Sequence, residues 1–289
     1  MLVIYFCLLF ILLVNTNFYI VWFLIEIIFL FFLLFIIMTE IKRIGLIIYY
    51  FFQRFISLLL FMVVFFILNK IVFLILCAKL GLFPFFYWIV IVSIKVGILG
   101  NIFIIGLQKI PVFWLFWILR DFNLTMLFLL CYLGIIFVVV NLRFIVDLWL
   151  LVIYSSISNT GIILLSITGS YYLLTVFLYL FIIVGILILI SKIRNYNELL
   201  LLVLLFLVVP PFIMFFIKFF VILSLESLIK LGFLIFIFDV FILFYYFRFL
   251  FIKFLLFDSA ILVYLINFLT LLIILFFRNY VTLIVFYKS

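Results

Sequence analysis

Four ionisable side chains stand inside runs of apolar residues: Glu26 in WFLIEIIF, Lys79 in LILCAKLGLFPFFYW, Lys109 in GLQKIPVF and Lys218 in VPPFIMFFIKFF. A charge near the centre of a bilayer costs about 2.5–3.5 kcal/mol on insertion scales, and such residues persist when they pair, face a hydrated cavity or carry protons. Lysine suits the last task. Taking an ammonium out of water disfavours its charged form, and a nearby carboxylate favours it again. Hydrating the site, or moving the carboxylate, therefore switches a lysine between holding and releasing a proton. Arginine keeps its proton throughout. Of the four basic residues inside apolar runs, three are lysines and the fourth is Arg54, which favours a relay over static pairing. The plainer readings are a hydrogen bond between helices for Glu26 and a stem reaching toward the interface for Lys79. Arg54, beside Gln53, and Asp239 are read as structural charges, with Asp239 paired to a basic neighbour or bound to a partner.

Proline marks two of these places. Pro111 follows Lys109 by two residues, and Pro210-Pro211 precede Lys218. A proline inside a helix removes an N–H and leaves an upstream carbonyl without its donor. At membrane depth such breaks are tolerated where the backbone lines a polar cavity. A lysine beside the break is well placed to exchange protons with trapped water.

The elements that must position these groups follow from composition. The chain has 289 residues, 75% hydrophobic and 9% charged, with a mean hydropathy of +1.84. Soluble domains are about 45–50% apolar and about 25% charged, so this composition excludes one. A helical crossing takes roughly 20 apolar residues, and the polar breaks divide the sequence accordingly. The expected fold is all-α, a single polytopic transmembrane domain over 1–289 with about eleven helices, at least one of them broken. The predicted spans are 2–15, 18–38, 46–68, 71–90, 97–119, 122–142, 148–167, 171–191, 199–222, 233–253 and 259–277. Continuous runs such as FLIEIIFLFFLLFII lack the alternation of a β-barrel. Residues 2–15 read as a first span, since no basic segment or small-residue cleavage site marks a signal peptide. Basic residues in the loops lean toward an N-terminus on the inner side.

Several function classes drop out. There is no histidine, the ligand on which haem- and copper-bearing membrane subunits rely. No phosphate loop, dinucleotide glycine pattern or cysteine cluster is present, and Cys7, Cys77 and Cys131 read as separate buried thiols. The basic residues are scattered, which argues against nucleic-acid binding. Phe is abundant, at 47 residues, where helix packing in lipid favours small side chains. That bias fits a T-rich organellar genome and so a mitochondrial origin.

The ordered set of motifs resembles a known family. AKLGLFPFFYW (78–88), a glutamate in an early helix (Glu26), Gln108-Lys109-Ile110 before Pro111, Tyr154-Ser155-Ser156-Ile157, and a proline pair with Lys218 seven residues on all occur in sequence order. Tyr245, Tyr246 and Arg248 make a looser match. Together they resemble the antiporter-like membrane-arm subunits of respiratory complex I, in particular the subunit 2 family of mitochondrial NADH dehydrogenase, over roughly residues 20–250.

The resemblance implies an antiporter-like fold in the mitochondrial inner membrane. It implies proton translocation coupled to electron transfer from NADH to ubiquinone. The chain would be surrounded by lipid and by other membrane-arm subunits, including neighbouring antiporter-like ones. It would hold no cofactor of its own, with FMN, iron–sulfur clusters and ubiquinone carried by other subunits. Glu26 matches the glutamate that tunes the first-channel lysine, Lys79 matches that lysine, Lys109 the central lysine on the broken helix, and Lys218 the distal lysine. Two departures stand out: Phe86 occupies the position of the family histidine, and Ile213-Met214 replace the residues that usually follow the proline pair. Tyr87, Ser155, Ser156 and Ser158 are candidate hydrogen-bonding helpers in place of that histidine.

Overall fold

The computed structural model describes residues 2–39, 43–65, 69–119, 124–145, 147–167, 169, 172–192, 217–218, 220–221, 237–242, 244–246 and 248. Their regular structure is helical throughout. The described helices are α1 (Leu2–Val14), α2 (Phe18–Thr39), α3 (Arg43–Phe65), α4 (Asn69–Leu80), α5 (Tyr87–Lys95), α6 (Ile98–Asn101), a π segment (Ile102–Leu107), α7 (Lys109–Ile118), α8 (Leu124–Leu142), α9 (Leu148–Leu165) and α10 (Tyr172–Lys192). Helical residues 217–218, 220–221, 237–242, 244–246 and 248 follow. The predicted span 259–277, the proline pair before Lys218 and most of spans 199–222 and 233–253 lie outside the described residues.

Long runs of Leu, Ile and Phe make most of these helices apolar on nearly every side, with polar residues gathered on α3 and α9. A stripe facing one core is not what they encode. The surface shows it: Val3, Phe10, Phe23, Phe55, Met126, Phe144 and Phe181 are all exposed. The interior, by contrast, collects polar side chains, among them Gln53, Lys79, Lys109, Ser155, Ser156, Asn159, Thr160 and Asp239. Among the described residues, one helix is long and apolar enough to cross a membrane by length and composition, α2, with a mean hydropathy of 2.7 over Phe18–Phe35.

One predicted element divides. The span expected over 71–90 is two helices, α4 and α5, separated by a non-helical turn at residues 81–86. Gly81 adopts a left-handed φ of 66°. Its N–H donates to Ala78 O at 3.1 Å, and Leu82 N–H donates to Cys77 O at 2.9 Å, the paired bonds of a Schellman C-cap. Only glycine fits, because a Cβ there would lie 2.0 Å from Ile89 Cδ1. Pro84, after a cis peptide bond with Phe83, sits in the same turn. Lys79 therefore lies in the last turn of α4 and not in the middle of a long span as expected. A cation is favoured at that end of a helix.

The break expected at Lys109 takes a different form. Residues 102–107 widen into the π segment, closed by Gln108 N–H on Phe103 O at 2.9 Å. Pro111 has no N–H for the carbonyl of Leu107, and its ring crowds that carbonyl. The extra residue in the π turn accommodates the mismatch, so the helix shifts register there and continues.

Side chains lock the layers together. Trp88 Nε1 donates to Ala78 O at 2.8 Å and ties α5 back to the end of α4. Trp114 Nε1 reaches Asn15 O at 3.0 Å, joining α7 to the α1–α2 turn. Tyr172 OH donates to Phe113 O at 3.1 Å, and Tyr179 OH to Ser156 O at 3.1 Å, which fixes α10 against α7 and α9.

Candidate functional site: buried lysines, their carboxylates and a shared cavity

Glu26 lies midway along α2 and meets two bases. Lys79 Nζ stands 3.5 Å from its Oε1, and Arg54 Nη1 stands 3.8 Å from its Oε2. The two bases differ in surroundings. The Lys79 side chain is 7% exposed and that of Arg54 37%, with the Arg54 guanidinium over the Tyr50 ring at 5.7 Å. Glu26 thus stands between an enclosed ammonium and a half-open guanidinium. Arg54, read from the sequence as structural, joins the site. The sequence offered no sign of this, because the contact spans helices α2 and α3.

Beside this pair is a cavity of about 30 Å³ at the junction of α2, α3, α4, α5, the π segment and α7. Its polar lining comes from Tyr49, Gln53, Lys79, Gln108 and Lys109. A polar cavity needs roughly 10–15 Å³ by this measure to hold a water, so there is room for about two. Lys79 and Lys109 therefore border one common space. Tyr49 and Gln53 lie four residues apart on α3 and so face the same way. That spacing was a readable signal for Gln53, which the sequence reasoning passed over.

Lys109 is buried, and its Nζ has no hydrogen-bond partner among the described residues. Gln108 Nε2 is in the same condition. An unpaired buried polar group is expensive to keep, costing about 1–3 kcal/mol and more when charged. Two such groups on one cavity wall make the space suited to water that donates, accepts and passes protons.

Lys218 forms a second ion pair, with Asp239. Both residues are buried, and Lys218 Nζ donates to Asp239 Oδ1. The basic neighbour anticipated for Asp239 is the distal lysine itself. The structure thus places Glu26, Lys79 and Lys109 around one locus and Lys218 at another, with Asp239 in place of Glu26.

The candidate helpers are placed otherwise. Tyr87 is exposed. Ser155, Ser156 and Ser158 are buried, but each hydroxyl donates to the carbonyl three residues before it, Val152, Ile153 and Ser155, at 2.9, 2.7 and 2.8 Å. Short hydroxyl side chains on a helix find that acceptor readily. Phe86 is buried against Phe137, with ring centroids 4.8 Å apart, and near Tyr154 at 6.3 Å. An aromatic cluster therefore fills that position.

No protein-family model matches the sequence, and no curated protein matches it.

Proposed function

We propose that this chain is a polytopic subunit of the membrane arm of proton-pumping NADH:ubiquinone oxidoreductase, with an antiporter-like fold, in the mitochondrial inner membrane. The observation that carries the reading is the grouping of Glu26, Lys79 and Lys109, in which a carboxylate-paired lysine and a lysine without a partner among the described residues share one water-sized cavity. The apolar exterior and polar interior support a lipid environment, because lipid reverses the usual reason to place polar groups outside.

In this reading protons move by changes in pairing. Glu26 holds the Lys79 ammonium charged. When Glu26 turns toward Arg54, that ammonium loses its compensating charge and releases its proton into the cavity. Lys109 Nζ, without a hydrogen-bond partner among the described residues, takes the proton through water held against Gln53 and Gln108. Lys218 receives it further along. Electron transfer in other subunits supplies the drive; this chain supplies sites that hold and release protons.

Separation of the membrane complexes on a native gel, with mass identification of co-migrating chains, tests the assembly. Migration with a very large NADH-oxidising complex is expected. Migration as a small independent species would replace this reading with a free-standing cation/proton antiporter.

A further inference from the structure

The distal site contains more than a lysine. Asp239 is 2% and Lys218 5% exposed, so both charges are largely desolvated and each gains from the other. The segment that carries Asp239 is anchored inward, since Tyr246, seven residues on, is buried and its OH donates to Ser155 Oγ on α9 at 2.7 Å. Seven residues are two helical turns, which puts Asp239 and Tyr246 on one face. Tyr246 thus anchors to α9 the segment from which Asp239 meets Lys218.

We propose that Asp239 is a proton-carrying residue of the distal site, receiving from Lys218 the proton that leaves it; the inference rests on the relay reading above. The step is balanced. An N–H bond at Lys218 Nζ breaks as an O–H bond forms at Asp239 Oδ1, turning an ammonium–carboxylate pair into an amine–carboxylic acid pair with no change in total charge. In so enclosed a site the neutral pair avoids the desolvation that the charged pair suffers. Release of that proton from the carboxyl to water restores the carboxylate, and the free amine of Lys218 accepts the next proton arriving along the relay. The last protein group to hold the proton is then a carboxyl. Lysine alone would have to discharge an ammonium directly to water.

The test uses the intact assembly in which the chain resides. Asp239→Glu keeps an ionisable carboxyl, and Asp239→Asn keeps the shape without one. Proton translocation during NADH oxidation is measured alongside infrared difference spectra between resting and turning-over states. The proposal expects Asp239→Asn to assemble and lose proton translocation by roughly a hundredfold or more, the scale of a lost proton-transfer group. Asp239→Glu should retain most of it and shift the carboxylic C=O band that appears on turnover. Wild-type translocation in assembled Asp239→Asn, or a C=O band that Asp239→Glu leaves unmoved, would overturn it. Should Asp239→Asn fail to assemble, the Asp239→Glu spectrum decides alone, a shifted band supporting the proposal and an unmoved band defeating it. If the chain migrates independently, the assembly reading fails while this one is still tested, by proton flux through the reconstituted chain in the same variants.

Discussion

Glu26 and Asp239 each hold a buried lysine, yet their surroundings differ. The Glu26 side chain is 12% exposed, has two bases within 4 Å and sits beside a cavity shared with Lys109. Asp239 is 2% exposed, is bonded to Lys218, and lies outside the lining of that cavity. A carboxylate with two partners can change allegiance without ever being left unpaired. With one enclosed partner among the described residues, it changes state most readily by moving a proton within the pair. The first arrangement suits gating and the second suits discharge.

Removing one carboxylate at a time separates the two sites most strongly. Asp239→Leu strands Lys218, and breaking a buried pair in this way costs about 3–5 kcal/mol. Glu26→Leu should cost less, because Arg54 is partly exposed and Lys79 retains the C-terminal end of α4. Thermal unfolding of the purified assembly checks the order, and equal losses would erase the distinction drawn between the pairs.

Lys109→Met should move stability the other way. It removes a buried lysine that has no partner among the described residues and refills its volume with an apolar side chain, for a gain of about 1–3 kcal/mol. Proton translocation should fall in the same variant. A protein that is less stable and still translocates would show that Lys109 has a structural role.

Gly81→Ala tests whether the Schellman turn positions Lys79. Forcing a left-handed φ on alanine costs about 1–2 kcal/mol, to which the contact with Ile89 adds. The expected loss appears in the melting temperature together with impaired translocation, while the Lys218–Asp239 end should be untouched. Tyr246→Phe is the mildest change, removing one buried hydrogen bond to Ser155 for about 0.5–1.5 kcal/mol. A melting curve would register it, and translocation should be nearly normal.

Much of the helical layout was legible, because apolar runs end at polar residues. α1, α2, α8, α9 and α10 begin and end within about two residues of the predicted spans, the usual fuzziness of helix ends. The miss at 71–90 was avoidable, since Gly81 and Pro84 stand in the middle of that run and both are helix breakers. The interruption near Lys109 was legible from Pro111, but its form was not. A π turn depends on how the following helix packs, which a proline cannot reveal by itself. Buried charges could be located from sequence, but their partners could not. Glu26 meets Lys79 and Arg54, and Lys218 meets Asp239, only through tertiary packing across tens of residues. The surroundings of the serine and tyrosine helpers were not legible either: the hydroxyls of Ser155, Ser156 and Ser158 donate to their own helix backbone, Ser155 also accepts from Tyr246, and Tyr87 is exposed.

The central claim is that the lysines of this chain move protons during NADH oxidation, and Lys79 tests it most directly. Lys79→Ala, in membranes where a native gel shows the complex assembled at wild-type abundance, should oxidise NADH with impaired proton translocation. Normal acidification by that assembled variant would contradict the account.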